Sequence, residues 1–279
     1  MPTDTDVVVR CARLIKIYPS ETGETHALRG VEAGFRSGTV TAVTGPSGSG
    51  KSSLLSVLAL RERQSGGELW LLGQDVGQLP GRRLRELRRN RVAFVAQRPT
   101  ESLFAHLPMI EQLEQVARLR GAPPGVGVDL LARLDLGARA AASMKEISGG
   151  EQQRLSVAAA VIGSPALVIA DEPTAELDDA SAQLVLVALR DCAAAGSAVV
   201  FATHDARAIA AADRVLALRH GVLSTERAGT GVATAAIDST GRLQLPPEAL
   251  ALLPGDRVLV VVRDGEIRLL PPTDPPGAA

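Results

Sequence analysis

The sequence predicts an α/β fold built around a mostly parallel sheet, and three observations carry that reading. Short apolar, β-branched runs alternate with longer helical stretches. Several of those runs are apolar at every position, as strands buried on both faces are. A glycine-rich loop joins one of them directly to a helix, at 45–52. In chain order, 7–16 and 39–44 read as strands, and 51–60 as the helix after the loop. A second helix is expected over 79–91, followed by a strand at 92–96. No strand pattern occurs between Gln97 and Ser148, where 103–119 and 129–134 have helical periodicity, so about 98–147 is expected to form a helical subdomain. Strands return at 166–170 and 198–203.

After Arg227 the pattern changes. Residues 228–233 are small and glycine-rich, as a linker is. Residues 234–272 then show strand–turn–strand punctuation around a short helical stretch, and the proline-rich 273–279 are expected to be disordered. The expected organisation is a main domain over 1–227 and a small β-rich module over 234–272.

Composition narrows the function classes. The 279 residues are 46% hydrophobic and 22% charged, which is globular, and the formal net charge of −1 gives no overall attraction to nucleic acid or to an anionic membrane. The basic residues are nevertheless concentrated: Arg82, Arg83, Arg85, Arg88, Arg89 and Arg91 crowd one short stretch, interrupted by Glu86. The two cysteines, Cys11 and Cys192, lie far apart without metal-ligand spacing, which fits a reducing compartment and not a disulfide framework. The first ten residues carry Asp4 and Asp6 and do not read as a signal peptide. No stretch approaches the ~18 apolar residues of a membrane helix.

Three motifs carry chemistry. Gly45-Pro46-Ser47-Gly48-Ser49-Gly50-Lys51-Ser52 matches G-x-x-x-x-G-K-[ST] between a strand and a helix. Its glycines let the backbone fold so tightly that successive N–H groups converge on one anion, and the helix adds its positive end. Lys51 is placed to meet the β/γ-phosphates, Ser52 to offer an oxygen to Mg²⁺. The run Ala166-Leu167-Val168-Ile169-Ala170-Asp171-Glu172 is an apolar strand ending in two carboxylates. Asp171 is suited to hold Mg²⁺ directly or through water, and Glu172 to act on the attacking water as general base or positioning group. Ile147-Ser148-Gly149-Gly150-Glu151-Gln152-Gln153-Arg154 supplies a second helix start, with Ser148 as its cap and two glycines exposing N–H groups. One phosphate loop already cradles its own nucleotide, so this terminus is expected to close over a nucleotide held by another subunit.

In this order the motifs resemble the ATP-binding cassette (ABC) ATPases over roughly residues 7–224. The 45–53 stretch resembles their Walker A motif, so that Gly45, Ser47, Gly48, Ser49, Gly50, Lys51, Ser52 and Ser53 are implied to bind nucleotide. The stretch ending in Asp171 and Glu172 resembles Walker B. Ser148, Gly149, Gly150 and Glu151 resemble the signature motif that acts in trans, with Ile147 standing where leucine is usual. Gln97 stands as the Q-loop glutamine that touches Mg²⁺ and couples to the transport subunit. Asp178 in Glu176-Leu177-Asp178 stands as the D-loop residue, His204 as the switch histidine and Tyr18 as the aromatic that stacks on adenine. Many members carry arginine where this chain has Ala158-Ala159-Ala160. The lipoprotein-releasing and macrolide-export types are the nearest in texture, on Thr25-His26-Ala27-Leu28-Arg29-Gly30, the helix at 79–91 and SGGEQQR.

The resemblance implies a P-loop NTPase fold, ATP and Mg²⁺ as ligands, a nucleotide-sandwich homodimer, transmembrane permease subunits as partners, and a place on the cytoplasmic face of the cell membrane. A non-transport ABC ATPase with a regulatory or DNA-targeting tail is the alternative. Residues 236–246 with 254–258 resemble the AbrB-like swapped-hairpin modules, on Asp238, Gly241, Arg242, Pro246, Gly255 and Asp256. Those modules dimerise, and many bind DNA. The four arginines in 234–272 against five acids make a poor footprint for phosphate contacts, so self-pairing is expected and DNA is not.

Overall fold

The computed structural model describes residues 6–20 and 23–228, and from the C-terminal stretch 234–235, 245, 252–253, 258–263 and 265–270. The strands are β1 (Val7–Ser20), β2 (Gly23–Arg36), β3 (Val40–Thr44), β4 (Gly66–Leu71), β5 (Gln74–Asp75), β6 (Val92–Val95), β7 (Leu167–Asp171), β8 (Ala198–Ala202), β9 (Arg214–Arg219), β10 (Val222–Ala228), β11 (Thr234–Ala235), β12 (Leu259–Arg263) and β13 (Glu266–Leu270). The helices are α1 (Lys51–Leu58), α2 (Gly81–Arg91), α3 (Met109–Arg120), α4 (Val126–Arg133), α5 (Gly149–Val161), α6 (Asp179–Ala194) and α7 (Ala206–Ala210).

The main sheet runs β11-β10-β9-β3-β8-β7-β6, parallel from β9 to β6 and closed by antiparallel β10 and β11. Its strands are apolar on both faces because both faces are covered. Val40, Ala42, Val168, Ala170, Val199 and Phe201 point into a core shared with α3, α4, α5 and α6. Val43, Leu167, Ile169, Val200 and Ala202 point the other way, into a core shared with α1 and the antiparallel sheet β2-β1-β4-β5. Of that second sheet the sequence showed only β1, as the strand at 7–16; its partners β2, β4 and β5 were not expected.

Register brings the functional edge into line. Ala202, the last residue of β8, pairs with Val43 of β3 on one side and Asp171 of β7 on the other. The three strands therefore release their following loops at one level, the crevice beyond the carboxyl ends where open α/β sheets bind ligands.

The helical subdomain holds α3 and α4 without a named strand. Helix α3 begins at Met109, later than the expected 103, because Pro108 stands at its N-cap in an extended conformation. Helix α4 covers Val126–Arg133, against the expected 129–134. The main sheet reaches past the expected domain edge: β10 runs through Ala228 and Thr234–Ala235 pair back onto it. The module's turn positions Asp238, Gly241, Arg242, Pro246, Gly255 and Asp256, and the tail 273–279, lie outside the described residues.

Leu113 on α3 is completely buried in the core that joins the helical subdomain to the main sheet. Leu113→Ala should lower the urea-unfolding free energy by about 2–5 kcal/mol, read from the denaturation midpoint at unchanged slope.

Candidate functional site

The phosphate loop leaves β3 at Gly45 (φ 146°) and enters α1 through Gly50 (φ 102°), with Gly48 also left-handed (φ 74°). A Cβ at Gly45 would strike the Leu218 carbonyl, and one at Gly50 the Ala27 carbonyl, so both space and φ require glycine. Gly221 N–H braces the loop by donating to the Ser49 carbonyl over 2.9 Å. The first turn of α1 contains no acid, which leaves its positive end uncompensated. Lys51 Nζ folds back onto the carbonyls of Gly45 (2.8 Å) and Pro46 (3.1 Å). Ser49 Oγ is buried and has no hydrogen-bond partner among the described residues. A buried hydroxyl without a partner is costly unless something arrives to accept from it. Ser47 and Gly48 are exposed at the tip of the loop.

The two carboxylates reach this cradle by different routes. Asp171, at the end of β7, hydrogen-bonds Ser52 and lies within the field of Lys51 and Glu172. Burial raises its pKa above the usual carboxylate value, and the Ser52 contact opposes the rise. Glu172 adopts φ 49°, left-handed for a residue with a Cβ, and its N–H donates to the Ala202 carbonyl (3.0 Å). Beyond that turn its side chain meets the loop after β8. There Glu172 Oε1 lies 2.9 Å from His204 Nδ1, with the carboxylate side chain 12% and the imidazole 81% exposed.

A second tier fixes these two residues. Thr174 Oγ1 donates to Asp205 Oδ2 (2.8 Å), so the residues just after Glu172 and just after His204 are tied together. Asp205 caps α7 by accepting from Arg207 N–H (2.9 Å), and Arg207 reaches on to Asp179. The Arg207 guanidinium, with help from Thr174, holds the Asp205 carboxyl down at about 2. Thr174 and Arg207 are absent from the sequence reading. Asp205-x-Arg207 is a recognisable cap pattern, but the Thr174–Asp205 contact spans 31 positions and leaves no local trace.

Ser148 is the N-cap of α5 in a reciprocal capping box: Glu151 N–H donates to Ser148 Oγ (3.2 Å) and Ser148 N–H to Glu151 Oε2 (2.7 Å). Arg139 sits 3.1 Å from both Glu151 oxygens. The Ser148 N–H, with Arg139 adding to it, lowers the Glu151 pKa. Among the described residues no hydrogen bond or ion pair joins 148–150 to the phosphate loop. Helix α5 is instead tied to the other side of the site, Gln153 Nε2 donating to the Pro173 carbonyl (3.3 Å) and Arg154 to Ser181. Asp178 caps α6 through Ser181 N–H (2.7 Å).

Gln97 is exposed in the bend after β6. Tyr18, half-buried at the end of β1, donates to Glu62 (2.8 Å) and carries Lys16 over its ring at 4.7 Å from the centroid. One face of that ring is thus occupied. The structure brings together Lys51, Ser52, Asp171, Glu172 and His204. Among the described residues no hydrogen bond or ion pair joins 148–150, Gln97 or Asp178 to that group, and Gly150 lies instead against Leu177, next to Asp178.

The family model described as ABC transporter matches residues 28–175. The lipoprotein-releasing system ATP-binding protein of Caulobacter vibrioides is 38% identical over 232 residues, covering 80% of this chain and 99% of that protein. The macrolide export ATP-binding/permease protein of Rhodospirillum rubrum is 38% identical over 212 residues, which is 75% of this chain but 32% of that protein. The chain therefore spans about a third of the length of the macrolide-export relatives. Among solved structures, a dimeric ATP-binding cassette in a post-hydrolysis state with ADP and Pi superposes with a TM-score of 0.74 at 27% identity, over 80% of this chain and 100% of that one. The relatives carry the names of the two groups that the sequence texture resembles.

Asp205 has a depressed pKa, so its contribution to stability is complete above the unfolded value of 3.8 and fades as pH falls toward about 2. Asp205→Asn should therefore be destabilised by a constant amount from pH 5 to 8, and the gap to wild type should close as pH falls below 4. Thermal unfolding across that pH series checks it.

Proposed function

The chain belongs to the ABC transporter family as an ATP-hydrolysing domain, and on that premise we propose that it powers a separate membrane-spanning permease of the exporting or lipoprotein-releasing kind. The observation that carries the proposal is the Glu172–His204 pair at 2.9 Å, set beside a glycine cradle with an unpartnered Ser49 hydroxyl. Among the described residues no helix is long and apolar enough to cross a membrane. The near full-length match to a lipoprotein-releasing ATP-binding protein favours a permease on another chain. The inner face of the cell membrane is the corresponding place of action.

In this reading Gly45, Ser47, Gly48, Ser49, Gly50, Lys51, Ser52 and Ser53 hold the phosphates of ATP, and the free face of Tyr18 takes adenine. The Ser52 hydroxyl beside the Asp171 carboxylate is a hard-oxygen pair, with Gln97 as a third donor, and it fits Mg²⁺ better than a soft metal. A Mg²⁺ held there would supply positive charge to the phosphate oxygens. Glu172 draws a proton from a water as its oxygen bonds to the γ-phosphorus, and the bond to the bridging oxygen breaks with ADP leaving. His204 holds Glu172 in place and reaches the γ-phosphate. Ser148, Gly149, Gly150 and Glu151 close over the nucleotide of a second copy, whose Asp178 lies at the shared interface. The lack, among the described residues, of any hydrogen bond or ion pair from 148–150 to the phosphate loop of their own chain supports that arrangement.

The residues beyond Thr234–Ala235, which pair with the main sheet, are proposed to form a self-pairing regulatory module as far as 272. The β12–β13 hairpin pairs Val260 with Leu269 and Val262 with Ile267, so these share one face, on which Val260 is 55%, Val262 69% and Ile267 71% exposed. A two-stranded hairpin with an open apolar face is marginal alone, and a second copy would cover it.

Glu172→Gln should still bind ATP but hydrolyse it about 10²–10⁴-fold more slowly, measured by phosphate release beside nucleotide binding. Ser148→Arg should abolish cooperativity in ATP and cut turnover on the order of 10²-fold. Undiminished, cooperative turnover in that variant would remove the paired-copy site. ATP-trapped Glu172→Gln taken from solubilised host membranes should retain a polytopic membrane protein. Recovery of the ATPase alone, or with DNA, would shift the reading to the non-transport alternative.

A further inference from the structure

Helix α2 breaks the rules of helix electrostatics with a single compensating acid among the described residues. Its eleven residues carry Arg82, Arg83, Arg85, Arg88, Arg89 and Arg91, and every one of these side chains is exposed. The only acid, Glu86, is spent on Arg83 at 2.7 Å. Like charges recur three and four apart along Arg82, Arg85, Arg88, Arg89 and Arg91, a spacing that destabilises a helix. Arg82 and Arg83 sit in the first turn, where the helix dipole disfavours cations and where no acid is present. Only Leu84 and Leu87 hold α2 to the core.

The neighbourhood enlarges this charge. Arg61 and Arg63 line one concavity with Arg85 and Arg88, and Arg82, Arg85, Glu86 and Arg89 line another of about 570 Å³. Arg61 stacks on Phe94 and Arg63 donates to the carbonyls of Gly77 and Leu79. Glu62, the one acid lining the first concavity, lies within the field of Arg61 but is paired with Lys16 at 2.8 Å. Arg82 and Arg85 have no carboxylate partner among the described residues. All of this sits on a chain whose formal net charge is −1. A local rule broken with so little internal compensation marks a functional surface.

We propose that the α2 face, with Arg82, Arg85 and Arg89 at its centre, docks on the anionic phospholipid headgroups of the membrane. This inference rests on the reading of the chain as a membrane-associated cassette. The apolar side of α2 is committed to the core, so the contact is a headgroup contact without insertion. Clustered arginines favour an anionic bilayer surface, additively and within a Debye length. Nucleic acid is the weaker fit: the one aromatic ring in the patch, Phe94, is already covered by Arg61, which leaves no platform for stacking bases.

The test is co-sedimentation of the intact chain with vesicles of about 30% phosphatidylglycerol in phosphatidylcholine, against phosphatidylcholine alone. Wild type should pellet only with the anionic vesicles and should release as salt rises from about 0.05 to 0.5 M. R82E/R85E/R89E should partition at least about tenfold less, while ATP turnover in solution stays within about twofold of wild type. R82K/R85K/R89K should retain the binding, which separates loss of charge from loss of fold. Equal pelleting on both vesicle types, undiminished binding by the charge-reversed variant, or retention on duplex DNA with none on anionic vesicles would overturn the proposal. A permease recovered with a chain that ignores vesicles sinks this inference alone. Vesicle binding without any membrane partner leaves it standing and sinks the transport reading.

Discussion

The site depends on backbone N–H groups that must point inward at one small anion, and only a chain free to take left-handed φ can aim them. Gly45 and Gly50 provide that freedom where neighbouring carbonyls leave no room for a side chain. The rest of the architecture holds this turn in place. A parallel sheet sets the end of β3 level with the ends of β7 and β8, through the shared register at Ala202. Two apolar cores clamp that sheet from either side, so the crevice edge is as rigid as the strands that frame it.

The same logic explains the strained turn at Glu172. If β7 had simply continued, Glu172 would have faced away from Asp171 with no route to His204. The left-handed φ, stabilised by the hydrogen bond to the Ala202 carbonyl, redirects it. Two adjacent carboxylates thereby acquire different surroundings. Asp171 is half-buried against the serine hydroxyl of the loop, and Glu172 is paired with an exposed imidazole.

What was legible in the sequence was whatever the chemistry forces to be contiguous. The β3 strand, the loop and α1 must follow one another for the dipole and the amides to act together, so they read off directly. The cap at Ser148 is local in the same way. Beyond β1 the antiparallel sheet was not legible, because β2 mixes charge and apolar residues irregularly and β1 pairs across several register shifts that blur its alternation. The start of α3 was misplaced because apolar periodicity outlasts the helix, and Pro108, not the pattern, sets the boundary. The Thr174–Asp205 bond joins two loops that only the fold makes neighbours.

The tie between α5 and the stretch after Asp171 has a mechanical consequence. Gln153 on Pro173 connects the surface that would cover a neighbour's nucleotide to the loop that carries Glu172, the carboxylate proposed to act on water, and Arg154 on Ser181 connects it to α6. A displacement at either end would have to carry these two hydrogen bonds with it or break them. In a symmetric pair, each protomer then acts as both sensor and actuator, and events at the two nucleotides lose their independence. Such a pair would behave as a single two-position device, and a fault in one half would appear in the timing of the other.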